Sequence, residues 1–430
     1  GSWGCQVTTQ GAWPIRPFAE IADYGVGKTP ARANADYWAQ SDQNVPWVSI
    51  SDLAPYGLVT KTKETVSRKA FDEVFRAKLV PAGTLLMSFK LTIGRIATLG
   101  VPAAHNEAII SIYPRPGVHQ RFLGYFLSQY DYADLQDRQI KGNTLNKSKI
   151  DRIPVPVPPE GEQRRVADLL DGLRHAIDLQ DAVLVNLAQM KSAAMRHLFT
   201  RGLRQETQKE TELDLIPASW EVATIDKHFT VVSGGTPSRS NAAYWAGGTV
   251  PWVKTTEVNY SVITETEEHI TRAGLDGSAA KMLQPGTLLM AMYGQGVTRG
   301  KVALLGIEAS CNQACAAMTP TDDEVVPRYL YHYLTSRYEA IRSLAHGGQQ
   351  QNLNLDIVRK IGIAVPPTIE EQQEIVEILD ALDSKTALHR HKRAVLDRLF
   401  KSLLHKLMTG EISVDDLDLS SLPSIDGTAA

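Results

Sequence analysis

Two long stretches of the chain, residues 158–202 and 366–410, repeat their apolar side chains with a helical period. In the first, apolar positions alternate in steps of four and three, the spacing of a coiled-coil seam, at Val166, Leu170, Leu173, Ile177, Leu184, Leu187, Ala194 and Leu198. Prolines open each stretch just before the expected helix, and acidic residues fill the first turn, where the helix dipole favours negative charge. Each stretch therefore predicts a helix of about forty residues, about 60 Å long, that needs a partner helix.

Polar residues interrupt both seams. Gln180 and Lys191 interrupt the first. The second keeps its apolar step at both ends, at Ile375, Leu379 and Leu382 and again at Leu396, Phe400, Leu403 and Leu407. In the middle the same register falls on Thr386, His389 and Arg393, so either the seam shifts onto Leu388 and Val395 or the helix has a polar waist.

The two helical stretches are copies of each other. Gln163 matches Gln372, Leu170 matches Leu379 and Leu198 matches Leu407, and each pair is 209 positions apart (372−163, 379−170 and 407−198). The segments before them are duplicated too. Residues 27–38 match 234–245 at eight of twelve positions, and further matches join 45–53 to 250–258, 81–89 to 284–292, 94–100 to 300–306 and 105–114 to 311–320. The whole unit, globular part and helix together, is present twice.

Within each copy the coarse pattern is mixed. Short apolar, β-branched runs bounded by Gly and Pro predict strands, among them residues 47–50, 84–87 and 108–112. Residues 121–139 and 327–345 predict an amphipathic helix whose many tyrosines we expect in the core rather than on a base-stacking platform. The order of helices implies that the two long helices are antiparallel, related by an approximate two-fold axis, with a globular unit at each end and equivalent surfaces on one side.

Three polar loops in each copy are the candidate ligand contacts. The first is the Gly-Thr-Pro-x-Arg turn, called the Gly-Thr-Pro turn below, which contains Lys28 and Arg32 in one copy and Ser238 and Arg239 in the other. The others are the hairpin loop 90–95, matched by 294–301, and the tip 141–148, matched by 347–354. Arg and Lys suit guanine edges and phosphates, and Asn and Gln suit adenine edges. The candidate DNA-binding residues are Lys28, Arg32, Lys90, Thr92, Arg95, Lys141 and Asn143 in the first copy and Ser238, Arg239, Gln295, Thr298, Arg299, Gln349 and Gln350 in the second.

Catalytic motifs do not emerge from the sequence. The segment 25–30, GVGKTP, lacks the spacing of a phosphate-binding loop, and its counterpart has no lysine. His105 aligns with Cys311, so we expect it to be structural. Neither an Asn/Asp-Pro-Pro-Tyr/Phe methyltransferase motif nor a helicase or Ser/His/Asp pattern is present. We expect no catalytic residue and no metal site in this chain.

Composition narrows the class of protein. The chain has 430 residues, 45 basic and 48 acidic, and a formal net charge of −3, so a DNA-binding role requires its basic residues to be concentrated on one surface. No apolar run reaches the length of a membrane span, so we expect a soluble cytoplasmic protein. The cysteines are Cys5, Cys311 and Cys315, and we expect the last two to be buried thiols rather than metal ligands.

The duplicated layout resembles the specificity subunit of type I restriction-modification systems. The residues that carry the resemblance are Pro158, Pro159, Glu162, Gln163, Leu169 and Leu170, repeated as Pro366, Pro367, Glu371, Gln372, Ile378 and Leu379, together with the Gly-Thr-Pro at 235–237. The resemblance covers nearly the whole chain. It implies an α+β fold in which two homologous, mixed α/β target recognition domains are separated by two long antiparallel helices in a coiled coil, with pseudo-two-fold symmetry.

On this resemblance the chain divides into recognition domain 1 (1–157), spacer helix 1 (158–204), recognition domain 2 (205–365), spacer helix 2 (366–410) and a tail (411–430). It implies a non-catalytic subunit that recognises a bipartite site in double-stranded DNA and docks two modification (methyltransferase) subunits, with restriction subunits joining through the complex. S-adenosylmethionine, ATP and Mg would belong to those partners, which would methylate adenine and cleave DNA. The alternatives are the recognition subunit of a type IIB-like restriction enzyme and a duplicated protein-binding scaffold without a DNA role.

Overall fold

The computed structural model describes residues 13–135, 137–139, 142–294, 297–345 and 352–417, and of residues 134, 137–139 and 142–144 it describes the backbone. The chain forms two compact units. The first comprises residues up to 180 and from 392 onward, and the second comprises residues 181–391. Both long helices are therefore divided between the units, and each unit consists of a globular domain with part of each helix.

In its described residues the first unit contains twelve strands, and it shares both long helices with the second. The strands are β1 (Ile15–Pro17), β2 (Ala22–Val26), β3 (Val45–Val48), β4 (Gly57–Val59), β5 (Glu64–Val66), β6 (Leu85–Ser88), β7 (Ile96–Leu99), β8 (Ala104–His105), β9 (Ile109–Pro114), β10 (Asp137–Gln139), β11 (Gly142–Thr144) and β12 (Pro154–Pro156). The helices are α1 (Phe18–Ile21), α2 (Arg68–Glu73), α3 (Gln120–Gln129), α4 (Lys147–Asp151) and α5 (Glu160–Arg201). Single 3-10 turns cover Ala35–Tyr37, Ile50–Asp52, Ala133–Leu135 and Val414–Asp416.

The second unit repeats this order. Its strands are β13 (Gln208–Thr211), β14 (Asp214–Pro217), β15 (Glu221–Thr224), β16 (Phe229–Ser233), β17 (Val250–Val253), β18 (Val262–Ile263), β19 (Glu268–Ile270), β20 (Leu288–Ala291), β21 (Val302–Leu305), β22 (Ser310–Cys311), β23 (Cys315–Pro320) and β24 (Gly362–Val365). The helices are α6 (Ile225–His228), α7 (Arg272–Asp276), α8 (Pro327–Ser336), α9 (Tyr338–Ser343), α10 (Leu355–Arg359) and α11 (Ile369–Met408), with 3-10 turns at Ala242–Tyr244 and Thr255–Glu257.

Each unit is built on a five-stranded sheet and a three-stranded sheet of the same topology. The larger sheets have the orders β2-β9-β6-β7-β4 and β16-β23-β20-β21-β18, and the smaller ones β5-β3-β8 and β19-β17-β22. In each five-stranded sheet all pairs are antiparallel except the last, β4 with β7 and β18 with β21. The predicted α+β class with two homologous mixed domains is confirmed.

The central strands alternate their side chains between two cores. Leu85 and Met87 of β6 pack in one cluster with Leu123 and Leu127 of α3, whereas Leu86 packs in another with Val48 and Leu53. This follows from the two-residue period of a strand, and it explains why strands covered on both faces appear in the sequence as continuous apolar runs. Equivalent side chains of β20 are divided in the same way.

The helix prediction after the sheet was too long. Helix α3 ends at Gln129, and Asp137–Gln139 and Gly142–Thr144 pair as the antiparallel strands β10 and β11 instead. The Asp131 carboxylate accepts a hydrogen bond from the backbone N–H of Ala133 at 2.9 Å, a local alternative to helical pairing. In the second unit the segment breaks at Arg337 into α8 and α9. The tyrosines are core residues as predicted, since Tyr125, Tyr329, Tyr331 and Tyr333 are all buried.

Helices α5 and α11 lie within the predicted stretches, and each is followed by a glycine with positive φ, Gly202 (63°) and Gly410 (70°). In the first unit the Arg174 guanidinium lies 5.7 Å from the ring centroid of Phe400, and Arg165 pairs with Asp415 at 3.1 Å. In the second unit Lys191 donates to Asp383, and Leu198 shares a core with Leu379. In each unit, later residues of α5 contact earlier residues of α11. The two helix segments are therefore antiparallel within each unit.

The seam contains the predicted apolar residues and a polar waist. Val166, Leu170, Leu173, Ile177, Leu187 and Leu198 are buried, and the interrupting Gln180 is buried among them. In the middle of α11, Thr386, His389 and Arg393 are half-buried, whereas Leu388 and Val395 are 64% and 41% exposed. The interpretation in which the seam shifts onto Leu388 and Val395 is therefore wrong, and the polar waist is the arrangement found.

Candidate nucleic-acid interface

A chain of backbone hydrogen bonds joins the three predicted loops of the first unit. The N–H of Lys28, in the turn after β2, donates to the carbonyl of His105 at 2.8 Å. The N–H of Phe89, at the start of the β6–β7 loop, donates to Ala108 at 2.9 Å, and the N–H of Leu145, just after the β10–β11 hairpin, donates to Phe89 at 3.0 Å. The segment 105–108 links the first two loops, and all three meet at one end of the five-stranded sheet.

The second unit has the corresponding chain of bonds, although its third donor, Leu353, lies two positions beyond the residue that the sequence match pairs with Leu145. Gly235 donates to Cys311 at 2.9 Å, Met292 donates to Ala314 at 2.8 Å, and Leu353 donates to Met292 at 3.1 Å. Because the bonds are between backbone groups, they are retained while the side chains at the loop tips differ between the copies. The sequence placed these loops in three separate segments, and the fold brings them together twice.

The Gly-Thr-Pro turn is held by residues that the two copies share. A Cβ added to Gly27 would lie 2.1 Å from the carbonyl oxygen of His105, and one on Gly234 would lie 2.1 Å from that of Cys311, so only glycine fits either position. The Thr29 hydroxyl donates to Glu107, and the Thr236 hydroxyl donates to Gln313. The backbone of the turn is therefore held in one conformation by the neighbouring segment.

Indole groups of the neighbouring strand also hold the backbone of the turn. Trp47 Nε1 donates to the carbonyl of Lys28 at 3.0 Å, and Trp252 Nε1 donates to that of Gly235 at 2.9 Å. Each of these tryptophans is 2% exposed, so the indole N–H would be costly to bury without a partner.

The arginine of each turn binds a glutamate and a tryptophan of its own unit. The Arg32 guanidinium donates to both carboxylate oxygens of Glu64, at 2.5 and 3.0 Å, and lies 3.7 Å from the ring centroid of Trp38. Arg239 donates to Glu268 at 2.5 Å and lies 3.6 Å from the Trp245 centroid. These hydrogen bonds lower the pKa of Glu64 and of Glu268, so both carboxylates stay charged beside their arginines.

Arg32 and Arg239 are each 53% exposed at the side chain, and both have well-defined partners. Contact of either with DNA stays a prediction. The sequence comparison of the two copies predicted the arginine as a ligand contact but did not predict a role for Glu64 or Glu268. These glutamates could have been identified from the sequence, because they occupy equivalent positions in the two copies, as the tryptophans do.

The residues of the turn that differ between the copies are exposed. Lys28 is exposed and its Nζ donates to the carbonyl of Val74 at 3.1 Å, whereas the matched Gly235 has no side chain. Ser238 is exposed, and its hydroxyl lies 2.9 Å from that of Ser240. The turn thus presents a cation in the first unit and small hydroxyls in the second.

The β6–β7 loop presents the basic side chains of the first unit. The hydroxyl of the buried Ser88 donates to the carbonyl of Thr92 and accepts from the N–H of Arg95 at 3.1 Å, which ties the two ends of the loop together. Thr92 and Arg95 are exposed, and Lys90 is half-buried with its Nζ 5.2 Å from the Phe89 ring centroid. Among the described residues, the Arg95 guanidinium contacts no carboxylate.

The matching β20–β21 loop is longer and packs more closely on its own unit. Thr298 and Arg299 are half-buried, and Tyr338 of α9 donates its hydroxyl to the carbonyl of Val297 at 2.5 Å. Gln295 lies outside the described residues. Helix α9 follows α8 where, in the first unit, the 3-10 turn Ala133–Leu135 follows α3, so the two units differ in backbone as well as in side chains next to this loop.

The third loop is described only in part. Asn143 lies in β11 opposite Arg138, and its backbone alone is described. Lys141, Gln349 and Gln350 lie outside the described residues. Their predicted contacts with DNA stay predictions.

The sequence matches the family described as Type I restriction modification DNA specificity domain over residues 11–188 and again over 217–398. The chain belongs to this family. The two matches cover most of the chain and correspond to the two copies that the sequence contains. The protein is accordingly a DNA-recognition specificity subunit of the type I restriction-modification class.

Of two curated relatives, one matches nearly the whole chain and the other less than half of it. The specificity subunit of the type I restriction enzyme MjaIX from Methanocaldococcus jannaschii is 22% identical over 415 residues, which is 94% of each chain. The HindI specificity subunit from Haemophilus influenzae is 27% identical over 205 residues, 46% of this chain and 42% of that one.

Solved structures share the fold. The S subunit of a type I system from M. genitalium superposes with a TM-score of 0.60 at 13% identity, covering 93% of this specificity subunit and 96% of that chain. A chain solved in a study of complex assembly and conformational transition of the type I R-M system superposes with a TM-score of 0.57 at 17% identity, covering 94% and 100%.

Several side chains of the second unit are of types that bind metals, and some of them already have other partners. Cys311 and Cys315 are free and buried, and their mutual hydrogen bond together with burial raises the pKa of the Cys311 thiol. Among the described residues, two groups combine a histidine with two carboxylates, His228 with Asp322 and Glu324, and His332 with Asp380 and Asp383. In the second group Arg328 and Lys191 already pair with the carboxylates.

His105 is 4% exposed, and burial lowers its pKa to about 4, so the imidazole is neutral at physiological pH. Its backbone carbonyl positions the Gly-Thr-Pro turn, which is the structural role predicted for it. In the described part of the chain, no helix is both long and apolar enough to cross a membrane.

Proposed function

We propose that each unit recognises one half of a split DNA sequence through the loop end of its five-stranded sheet. The observation that supports this most strongly is the duplicated backbone network, which joins three corresponding loops at the same end of the sheet in both units while the exposed tip residues differ. A shared scaffold with divergent tips suits two different base sequences of one duplex. The recognition domains would be residues 1–157 and 205–365, with spacer helices 158–204 and 366–410 and a tail 411–430.

The charge of the first loop end supports a duplex as its ligand. Lys28 and Arg95 are exposed there, and Lys90 is half-buried beside them. The nearby acids are already bound, Glu64 to Arg32 and Glu107 to Thr29. Although the whole chain has a net charge of −3, this end therefore presents cations that pair with no carboxylate in the part of the chain described, and such cations suit phosphates.

The long helices would dock two modification subunits, and restriction subunits would join through the complex. Such partners would contain the catalytic residues and would bind S-adenosylmethionine, ATP and Mg, because this chain contributes recognition.

A binding titration with half-site exchange tests the proposal. The complex of this chain with its modification subunits is titrated against a fluorescent duplex that contains the recognition site, and against duplexes in which one half or the other is scrambled. We expect scrambling of either half to weaken binding, and the logarithm of the affinity to fall linearly with the logarithm of salt concentration. Equal affinity for scrambled duplexes would contradict recognition, and affinity independent of salt would favour a protein-binding scaffold.

A further inference from the structure

A buried glutamine attaches each recognition domain to the start of its long helix. In the first unit Gln163, in the first turn of α5, is 0% exposed. Its Nε2 donates to the carbonyls of Gly117 at 2.9 Å and Pro158 at 2.7 Å, and its Oε1 accepts from the N–H of His119 at 2.7 Å. One side-chain amide therefore donates to a carbonyl and accepts from an N–H of the loop that leads into α3.

The second unit has the same attachment. Gln372, in the first turn of α11, is 1% exposed. Its Oε1 accepts from the N–H of Val326 at 2.9 Å, and its Nε2 donates to the carbonyl of Glu324 at 2.8 Å, in the loop that leads into α8. We call these two contacts the glutamine anchors. Only an amide side chain offers a donor and an acceptor at adjacent atoms without a charge, which fits their burial.

An ionic contact attaches the same elements a second time. In the first unit Arg121 of α3 donates to Asp171 and, at 2.7 Å, to Asp168, and the Tyr125 hydroxyl donates to Asp171 at 2.6 Å. In the second unit Arg328 of α8 donates to Asp380 at 2.8 Å, and His332 Nε2 bonds the same carboxylate at 2.7 Å. We call these contacts the arginine anchors.

Charge pairing makes the arginine anchor of the second unit more than a surface contact. Burial raises the pKa of Asp380, but the hydrogen bonds from Arg328 and His332 outweigh this and lower it, so the carboxylate stays charged. His332 is fully buried, and burial lowers its pKa to about 4. The contact is thus a charged pair of Arg328 and Asp380 with a neutral imidazole packed against it.

Two anchors fix more than one anchor could. Gln163 and Asp171 are eight residues apart, as are Gln372 and Asp380, which is about 12 Å along a helix at about 1.5 Å per residue. Phe122 and Tyr125 of α3 also pack in one core with Leu170 of α5, but apolar packing is non-directional. Two directional contacts about 12 Å apart fix both the position of a domain along its helix and its rotation about it, which one such contact does not. One base pair of B-DNA advances the duplex by about 3.4 Å and turns it by about 34°, so a fixed domain cannot absorb an added base pair.

We propose that the paired anchors set the spacer length of the recognised site, by fixing each recognition domain on its own helix. The inference rests on the proposed function, because it requires each domain to bind one half-site. The anchoring residues touch no base. They are positioning residues whose effect appears in the number of base pairs allowed between the half-sites.

Spacer discrimination in the assembled complex tests the inference. Binding is measured with duplexes that contain the recognised half-sites at the native spacing, or with one base pair added or removed. We expect Arg121→Ala and Arg328→Ala each to reduce the preference for the native spacing by about fivefold, because a domain that keeps its apolar packing and one directional anchor can pivot more easily to reach a displaced half-site. Arg115→Ala is the matched control, since Arg115 pairs with Asp23 at 2.7 Å inside recognition domain 1 and touches no helix anchor.

The outcomes separate positioning from a general structural role. A full native preference in both anchor variants overturns the inference, as does equal weakening of binding at all three spacings. Restored preference in the charge exchange of Arg328→Asp with Asp380→Arg supports it. Gln163→Ala is followed by thermal denaturation as well, and loss of the folded domain there leaves the arginine variants to decide. Absence of any sequence-specific binding by the wild-type complex would instead contradict the proposed function.

Discussion

Replacement of Arg32 tests whether this residue supports the Gly-Thr-Pro turn or contacts DNA. The guanidinium of Arg32 is bound to both oxygens of Glu64 and lies 3.7 Å from the centroid of Trp38, whereas the Arg95 side chain is exposed and contacts no carboxylate among the described residues. We therefore predict that Arg32→Ala lowers the stability of its domain and that Arg95→Ala does not. Both variants should weaken binding to the same half-site, but for different reasons.

The magnitude follows from the two interactions that the substitution of Arg32 removes. The pair of Arg32 and Glu64 is about half exposed, so screening by solvent limits it to about 0.5 kcal/mol. The guanidinium over the Trp38 ring adds about 0.5–1 kcal/mol. A decrease of about 1–1.5 kcal/mol in the free energy of unfolding of a domain of this size lowers the melting temperature by about 3–5 °C. Arg32→Lys should recover little of this, because an ammonium can neither bind the carboxylate through two N–H groups nor stack on the indole.

Thermal denaturation and DNA binding are measured on the same preparations. Arg95→Ala should keep the wild-type melting temperature, weaken the half-site recognised by the first unit, and reduce the slope of affinity against salt by about one ion. Arg299→Ala is the counterpart for the other half-site. An Arg32→Ala protein that melts like the wild type but loses one ion from the salt slope would refute the reasoning and show that Arg32 contacts a phosphate.

Three further predictions concern the turn, a buried histidine and the polar waist. Gly27→Ala should abolish recognition of one half-site and lower the melting temperature, because the new Cβ would lie 2.1 Å from a carbonyl oxygen; retained recognition of that half would contradict the rigid turn. The folded-state pKa of His105 is about 4, below the usual 6.5, so the unfolded chain binds the proton first as pH falls. Stability should then decline from pH 6.5 to about 4 by up to about 3 kcal/mol, and chemical denaturation of His105→Cys, the residue of the second copy, should show a smaller decline. Charge reversal at Arg393 should impair either assembly or DNA affinity, measured by size-exclusion chromatography and anisotropy, and wild-type behaviour in both would make the waist a solvated surface.

Duplication made much of the fold predictable. The seam positions of α5, the strands around residues 47, 85 and 110, and the burial of the tyrosines all follow from apolar periodicity, which records what a residue packs against. The length of the helix after β9 did not follow. Asp131 ends it by a local hydrogen bond, and such competition between side chain and backbone leaves no periodic signal.

The roles of individual loop residues were less predictable. Arg32 and Arg239 belong to the most similar segment of the two copies, and the structure binds each of them to a glutamate some 30 residues further along the chain. Comparison of the copies shows that a residue is kept, but not whether it is kept for the ligand or for the loop. The meeting of three loops at one sheet end depends on strand register, which the sequence does not contain.

The central claim is that two homologous units each recognise one part of a single duplex. Sequencing of the modified bases in a host that expresses this chain with its partner subunits measures this directly. We expect one motif in two defined parts, separated by a fixed number of unspecified base pairs, and a change in one part alone when Arg95 is replaced. A single uninterrupted motif, or a motif that changes in both parts at once, would contradict it.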